Sequence, residues 1–104
     1  MALTREFKDT VKARIDRDPR FRKALLKEAV ELMLAGDLAA GKAVLRDYIN
    51  ATTGFEGLAR ELDKPSKSLM RMFGPSGNPS AANLFAVISH LQKATDVRLA
   101  VAAE

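Results

Sequence analysis

The chain contains no cysteine and no tryptophan, and only one histidine and one tyrosine among its 104 residues. The lack of cysteine excludes disulfide bonds, thiolate metal sites and a cysteine nucleophile. Because aromatic residues make up only 6% of the chain, the core has to consist mainly of aliphatic side chains, which favours packed helices over a sheet. The chain has no apolar run as long as the roughly 18 residues of a membrane-spanning helix, and its N-terminus lacks the apolar stretch of a secretory signal. We therefore expect a cytoplasmic protein without membrane contact.

Motifs typical of enzymes are also missing. His90 is the single histidine, so it has no histidine or cysteine partners for a metal site, and no nucleophile-elbow sequence is present for a Ser-His-Asp triad. The glycine-containing stretch 74–77 lacks the lysine of a phosphate-binding loop. The sequence predicts no catalytic residue, no metal and no cofactor, and we expect the protein not to be an enzyme.

Acidic residues are absent from one long stretch of this chain, whose formal net charge is +4. No Asp or Glu occurs between Lys64 and Thr95, whereas Lys67, Arg71 and Lys93 lie within that stretch. A basic cluster is often only a solvated helix face, but it also permits nucleic-acid binding.

Apolar residues at helical spacing predict an all-α fold. Side-chain oxygens that can accept hydrogen bonds from the first helical amides mark the expected starts of four helices. These predicted caps are Thr4, Asp18, Asp37 and Ser80. Gly36 is the expected stop of the second helix, and the alternating tail 97–101 predicts a possible short C-terminal strand. We expect one compact unit, with residues 1–36 as an N-terminal helical extension.

Residues 54–73 have the pattern of a helix-turn-helix, with short helices predicted over 55–62 and 66–73. A steep crossing of two helices needs a small residue, which Ala59 provides, and the tight turn needs a residue that tolerates positive φ, which Asp63 does. Ala59, Asp63 and Leu69 are separated by the four and six residues that such a unit requires. The predicted structural set is Leu58, Ala59, Leu62, Asp63, Leu69 and Phe73. The alternative is an αα-hairpin that only packs.

The second helix of a helix-turn-helix enters the major groove of DNA, where its early residues meet base edges. Arg71 can bind guanine through O6 and N7, and Met70 can contact a thymine methyl group. The predicted base-reading residues are Ser66, Lys67, Met70 and Arg71. The small-residue loop 74–78 can lie against phosphates. The predicted backbone-contacting residues are Lys64, Ser68, Ser76, Gly77 and Asn78. We therefore expect residues 37–104 to form a helix-turn-helix, DNA-binding domain.

The chain resembles the Cro/repressor-type, lambda-repressor-like domain of the addiction-module antidote family, which comprises HigA-like antitoxins encoded beside RelE-type toxins. The resemblance is carried by residues 58–61, Ser66, Leu69, 77–80 and Leu84, and upstream by 24–30, 36–37 and 45–55. It covers nearly the whole chain and is most specific over 54–79. Two positions depart from the family pattern. Pro65 replaces the usual capping Ser or Thr, so the helix start is expected at Lys64 or Ser66, and Phe55 replaces a polar residue that often touches phosphate.

The resemblance implies a sequence-specific repressor that binds a pseudo-palindromic operator in double-stranded DNA as a homodimer. It also implies an antitoxin that autoregulates its operon, with a RelE-type toxin as partner. A stand-alone regulator and a protein-interaction module that no longer reads DNA remain alternatives. The second helix is apolar nearly all round, so its leucines, including Leu26 and Leu34, are expected to cover two surfaces. One of the two surfaces is the core, and the other can belong to the first helix, to a dimer mate or to a toxin.

Overall fold

A computed structural model of the chain describes residues 5–104, with side chains described from Thr10 onward. Within this range the fold consists of six α-helices, so the predicted all-α class is confirmed. The helices are α1 (Arg5–Arg17), α2 (Pro19–Leu34), α3 (Leu38–Ala51), α4 (Gly54–Leu62), α5 (Ser66–Met72) and α6 (Ala81–Ala94). The predicted cap Thr4 lies outside the described residues. None of the helices in residues 5–104 is both long enough and apolar enough to cross a membrane.

The other three predicted helix caps are confirmed. Asp18 accepts hydrogen bonds from the amides two and three residues further along, at 3.0 and 3.3 Å. Asp37 and Ser80 each accept one from the amide three residues further along, at 3.1 and 3.2 Å. Gly36 follows α2 with a φ of 92°, a conformation that ends a helix and that glycine adopts without steric cost.

The most extensive helix pairing joins α2 to α3. The two helices cross closely at Gly41, where a β-carbon would lie 2.9 Å from the carbonyl oxygen of Ala29 and 2.5 Å from Cγ of Met33. Leu26 and Ala29 of α2 are fully buried in this packing. Leu26 therefore packs inside the monomer, which agrees with internal packing as the cover of that part of α2. Leu34, by contrast, is 69% exposed.

One continuous core includes residues from all six helices and the tail, with Ile15 of α1 fully buried in it. The largest fully buried side chains are Tyr48, Phe73, Ile15, Leu26, Leu45, Ile49, Leu58, Leu69, Leu91 and Val87. Three of them belong to α3, which also contacts α1, α2 and α4. This helix is therefore the central platform of the fold.

The predicted C-terminal strand is wrong, since residues 97–101 form no strand. The tail instead packs on α6, where Val97 is buried and the amide of Leu99 donates a 2.8 Å hydrogen bond to Oε1 of Gln92. A strand needs a partner for its ladder of backbone hydrogen bonds. Here the amide of Val97 also bonds to Gln92, through that residue's carbonyl oxygen at 3.0 Å. The alternating pattern reflects this packing of Val97 and Leu99.

Candidate nucleic-acid interface

A left-handed turn at Asp63 joins α4 to α5. Asp63 has φ 52° and ψ 51°, as predicted from its place in the sequence, and it ends α4. The amide of Lys64 donates a 3.0 Å hydrogen bond to the carbonyl oxygen of Ala59, which satisfies one of the last acceptors of α4. This turn brings α5 back against α4, its main helical contact.

The predicted structural residues hold the two helices together. Leu58, Leu69 and Phe73 are fully buried, Ala59 is buried, and Leu62 is partly buried against the core. Phe55, at the start of α4, packs against Phe73 with ring centroids 6.5 Å apart. Because Phe55 is buried, its side chain is not available to a phosphate at the start of α4.

The helix α5 begins at Ser66, one of the two starts expected from the proline at position 65. Pro65 occupies the N-cap position with φ −63° and ψ 135°, and it supplies no side-chain hydrogen bond. Its carbonyl oxygen instead accepts hydrogen bonds from the amides of Ser68 and Leu69, at 3.1 and 3.2 Å. Proline is compatible with this position because its fixed φ suits the residue that precedes the first helical turn.

Most of the predicted base-reading side chains lie on the exposed side of α5. Lys67, Met70 and Arg71 are exposed, and their spacing of three and four residues places them on one face of the helix. Ser66 is partly buried at the start of that helix. Two cations and a half-exposed methionine can therefore meet a partner together, while Leu69 faces the core.

The predicted backbone-contacting residues lie before, within and after α5. Lys64 and Ser68 are partly buried, whereas Ser76 and Asn78 in the following loop are exposed. Gly77 lies so close to the end of α5 that a β-carbon there would collide with the carbonyl oxygens of Arg71 and Met72. The loop is thus folded back onto the helix that it follows.

Two cations of α3 donate hydrogen bonds to this loop and to the residue before it. Neither was among the site residues predicted from the sequence. Nζ of Lys42 donates hydrogen bonds to the carbonyl oxygens of Gly74, at 3.1 Å, and of Gly77. Nη1 of Arg46 donates to the carbonyl oxygen of Phe73 at 3.2 Å. Lys42 is only 6% exposed, the one buried charged side chain in the described part of the chain.

The sequence did contain a signal for Lys42. Leu38, Leu45 and Ile49 recur at helical spacing and form an apolar stripe along α3. Position 42 falls on the same stripe, four residues after Leu38 and three before Leu45. A lysine on an apolar stripe has to find acceptors when it is buried. The backbone carbonyls of the loop provide them.

Charges around the turn are mixed, unlike those on α5. An open groove of about 540 Å³ lies beside the turn, and it contains both acidic and basic side chains. Its lining residues are Glu56, Ala59, Arg60, Asp63, Lys64, Pro65 and Ser66. The exposed face of α5 carries cations without a carboxylate, so an anionic partner is better matched there than in the groove.

No group of histidine and carboxylate side chains in the described residues has the arrangement of a metal site. His90 is partly buried on α6. Comparison of the chain with models of protein families, with curated proteins and with solved structures gives no match.

Proposed function

We propose that the protein is a sequence-specific double-stranded DNA-binding repressor of the helix-turn-helix class, which reads an operator with α5. The observation that carries the proposal is the exposure of Lys67, Met70 and Arg71 on one face of a short helix whose opposite side is anchored by Leu69 and Phe73. In this class the second helix of the unit lies in the major groove.

The charge distribution supports a phosphate-rich partner. No carboxylate occurs from Lys64 to Thr95, so α5, the loop after it and α6 present no acidic side chain to repel DNA. Lys67 and Arg71 add positive charge on α5, and a guanidinium can bind guanine through two parallel hydrogen bonds. An αα-hairpin that only packs would not require this exposed pair of cations.

A single helix-turn-helix covers few base pairs, and such domains usually act as dimers on half-sites about one helical turn apart. We therefore propose a homodimer on a pseudo-palindromic operator. The test is selection of bound duplexes from a random pool by the wild-type chain, followed by affinity measurements over a range of salt concentrations. We expect two related half-sites and a steep loss of affinity as salt increases, because phosphate contacts release counterions.

Selected sequences without half-site symmetry would contradict the dimer. Affinity that does not depend on salt, or selection of no sequence at all, would contradict the DNA-binding function and leave the protein-interaction module as the better interpretation. A variant with Lys67→Ala and Arg71→Ala is the matched control, since both side chains are exposed and their loss leaves the core intact.

The resemblance to the antidote family supports a narrower proposal, in which the repressor is also the antitoxin of a RelE-type toxin and represses its own operon. Co-expression with the adjacent small open reading frame tests this role through co-purification and neutralisation. Leu34→Asp is the informative variant because Leu34 is exposed, whereas the fully buried Leu26 would only report on folding. A neighbouring product that is neither bound nor neutralised would leave a stand-alone regulator.

A further inference from the structure

The helix α5 has few helical neighbours to fix its orientation. It is seven residues long, and its extensive helix packing is with α4 alone. A helix of this length is not stable by itself in water, so its direction depends on tertiary contacts. Leu69 and Phe73 are fully buried in the core and Met72 packs against it, but such apolar contacts are non-directional and do not by themselves fix the direction of the helix axis.

The C-terminal end of α5 is fixed by charged hydrogen bonds from α3. Arg46 binds the carbonyl oxygen of Phe73, and Lys42 binds those of Gly74 and Gly77. Cations are favourable at a helix C-terminus, where the unpaired carbonyls carry partial negative charge. Hydrogen bonds from charged donors are also stronger than those between neutral groups.

The donors belong to the most firmly held helix of the fold. Lys42 and Arg46 are four residues apart on α3, whose Leu45, Tyr48 and Ile49 are fully buried. The ammonium of Lys42 lies out of water, so its loss would leave two carbonyl oxygens without that donor. The end of α5 is therefore tied to the central, well-buried helix of the fold.

We propose that Lys42 and Arg46 are positioning residues for DNA recognition, which set the orientation of α5 from its C-terminal end and thereby fix where Lys67 and Arg71 point. This inference rests on the proposed DNA-binding function. Hydrogen bonds to base edges require donor–acceptor distances near 3 Å, so a pivot of α5 by a fraction of a turn moves Arg71 out of register. Neither Lys42 nor Arg46 needs to touch the DNA for this role.

The test compares Lys42→Met with Lys27→Met. Both variants lose one positive charge, but Lys27 is exposed on α2. Among the ion pairs of the described residues, Lys27 takes part in one, with Glu31 at 3.4 Å. Affinity is measured for the selected operator and for a random duplex at a temperature where both variants are folded. Loss of one cation lowers both affinities alike. The ratio of the two affinities therefore reports on positioning rather than on charge.

We expect Lys42→Met to lower the operator-to-random ratio by about tenfold or more. Lys27→Met should change it by less than about threefold, as expected for a charge outside the recognition face. Lys42→Arg, which keeps the charge and the donors, should recover part of the lost ratio. If Lys42→Met does not fold, Arg46→Met replaces it, since it removes one hydrogen bond and leaves Lys42 in place.

Residual dipolar couplings of the backbone amides give a readout that does not depend on DNA. In Lys42→Met, the couplings of Ser66–Met72 should change while those of Leu38–Ala51 and Ala81–Ala94 agree with wild type. Unchanged couplings in α5, or an unchanged affinity ratio in the folded variant, would overturn the positioning role. A wild-type chain that prefers no duplex would overturn the proposed function, while the couplings would still decide whether Lys42 orients α5.

Discussion

Tyr48 of α3 and Thr95 at the end of α6 are joined by a 2.7 Å hydrogen bond, in which the phenol hydroxyl donates to Oγ1 of Thr95. Thr95 in turn donates to the carbonyl oxygen of Leu91 at 2.7 Å. Tyr48 is fully buried, and this burial raises the pKa of its phenol above the ordinary value of 10.0. The hydrogen bond to Thr95 and the charge of Arg22 act in the opposite direction but do not cancel it.

The raised pKa of Tyr48 predicts a loss of stability at alkaline pH. The folded chain holds the phenol proton more tightly than the unfolded chain, so this contribution is fully present below pH 10.0 and is lost as the pH rises through the folded pKa. Urea unfolding at a series of alkaline pH values should show this loss. Because Tyr48 is the single tyrosine, phenolate absorbance follows its titration directly.

Tyr48→Phe is the control for the alkaline effect. Below pH 10.0 the variant should be less stable by about 1 kcal/mol, since one buried hydrogen bond is lost. Its stability should fall less steeply than that of wild type above that pH, because no phenol remains to ionise in the unfolded state. Equal slopes for the two proteins would show that other groups cause the alkaline loss.

The left-handed conformation of Asp63 predicts that glycine stabilises the turn. A side chain in this region is sterically strained, so Asp63→Gly should raise the free energy of unfolding by about 0.5–1 kcal/mol, and Asp63→Val should lower it. Asp96 has nearly the same φ, 53° against 52°, and provides a second position for the same test. Chemical unfolding followed by circular dichroism measures both. A glycine that destabilises at Asp63 alone would show that the aspartate side chain stabilises the turn.

Alanine is expected to have very different effects on stability at the two glycines of the loop. At Gly77 a β-carbon meets backbone oxygens of α5, which cannot move aside, so Gly77→Ala should cost about 1–3 kcal/mol of stability. At Gly74 the nearest atoms are at 3.4 Å, an ordinary contact, so Gly74→Ala should change stability by less than about 0.5 kcal/mol. Thermal unfolding of the two variants measures the difference in their stability. Equal effects would mean that the loop does not rest on α5 as described.

Local signals predicted most of the helix boundaries because their causes are local. Asp18, Asp37 and Ser80 cap the helices that they were expected to begin, and Asp63 adopts the positive φ that its position required. Capping and turn formation depend on atoms a few residues apart, which the sequence shows directly.

Features that depend on distant parts of the chain were not predictable in the same way. Lys42 and Gly77 are 35 residues apart, so only the fold brings the ammonium to the loop carbonyls. The tail was predicted as a possible strand because Val97 and Leu99 alternate with polar or small residues, but Gln92 of α6 takes their amides. The exposure of Leu34 and the burial of Leu26 were likewise set by packing between α2 and α3.

Ala59 is buried where α4 crosses α5, so a larger, charged side chain at this position should destabilise the fold. Ala59→Glu places a carboxylate in a buried position, and it should lower the free energy of unfolding by about 3 kcal/mol or more. Ala82→Glu is the matched control, because Ala82 is exposed in the first turn of α6, where a negative charge is favourable. Urea unfolding of the two variants checks the expectation. A stable Ala59→Glu chain would contradict close packing at that crossing.

Arg71 belongs to the proposed recognition face of α5, and its replacement tests where that face lies. On the selected operator, Arg71→Ala should cost about 1–3 kcal/mol of binding free energy and relax the preference at one base position, because a guanidinium reads guanine through two hydrogen bonds. Lys67→Ala, by contrast, should either relax one position or weaken all sequences alike, since a lysine can bind a base or a phosphate. Arg17→Ala removes another exposed arginine, on α1, and controls for net charge. Competition binding with single-base operator variants separates these outcomes. If Arg71→Ala binds the operator as tightly as wild type and unfolds at the same temperature, the recognition face lies elsewhere, and α5 does not enter the groove in the orientation that Lys67 and Arg71 define.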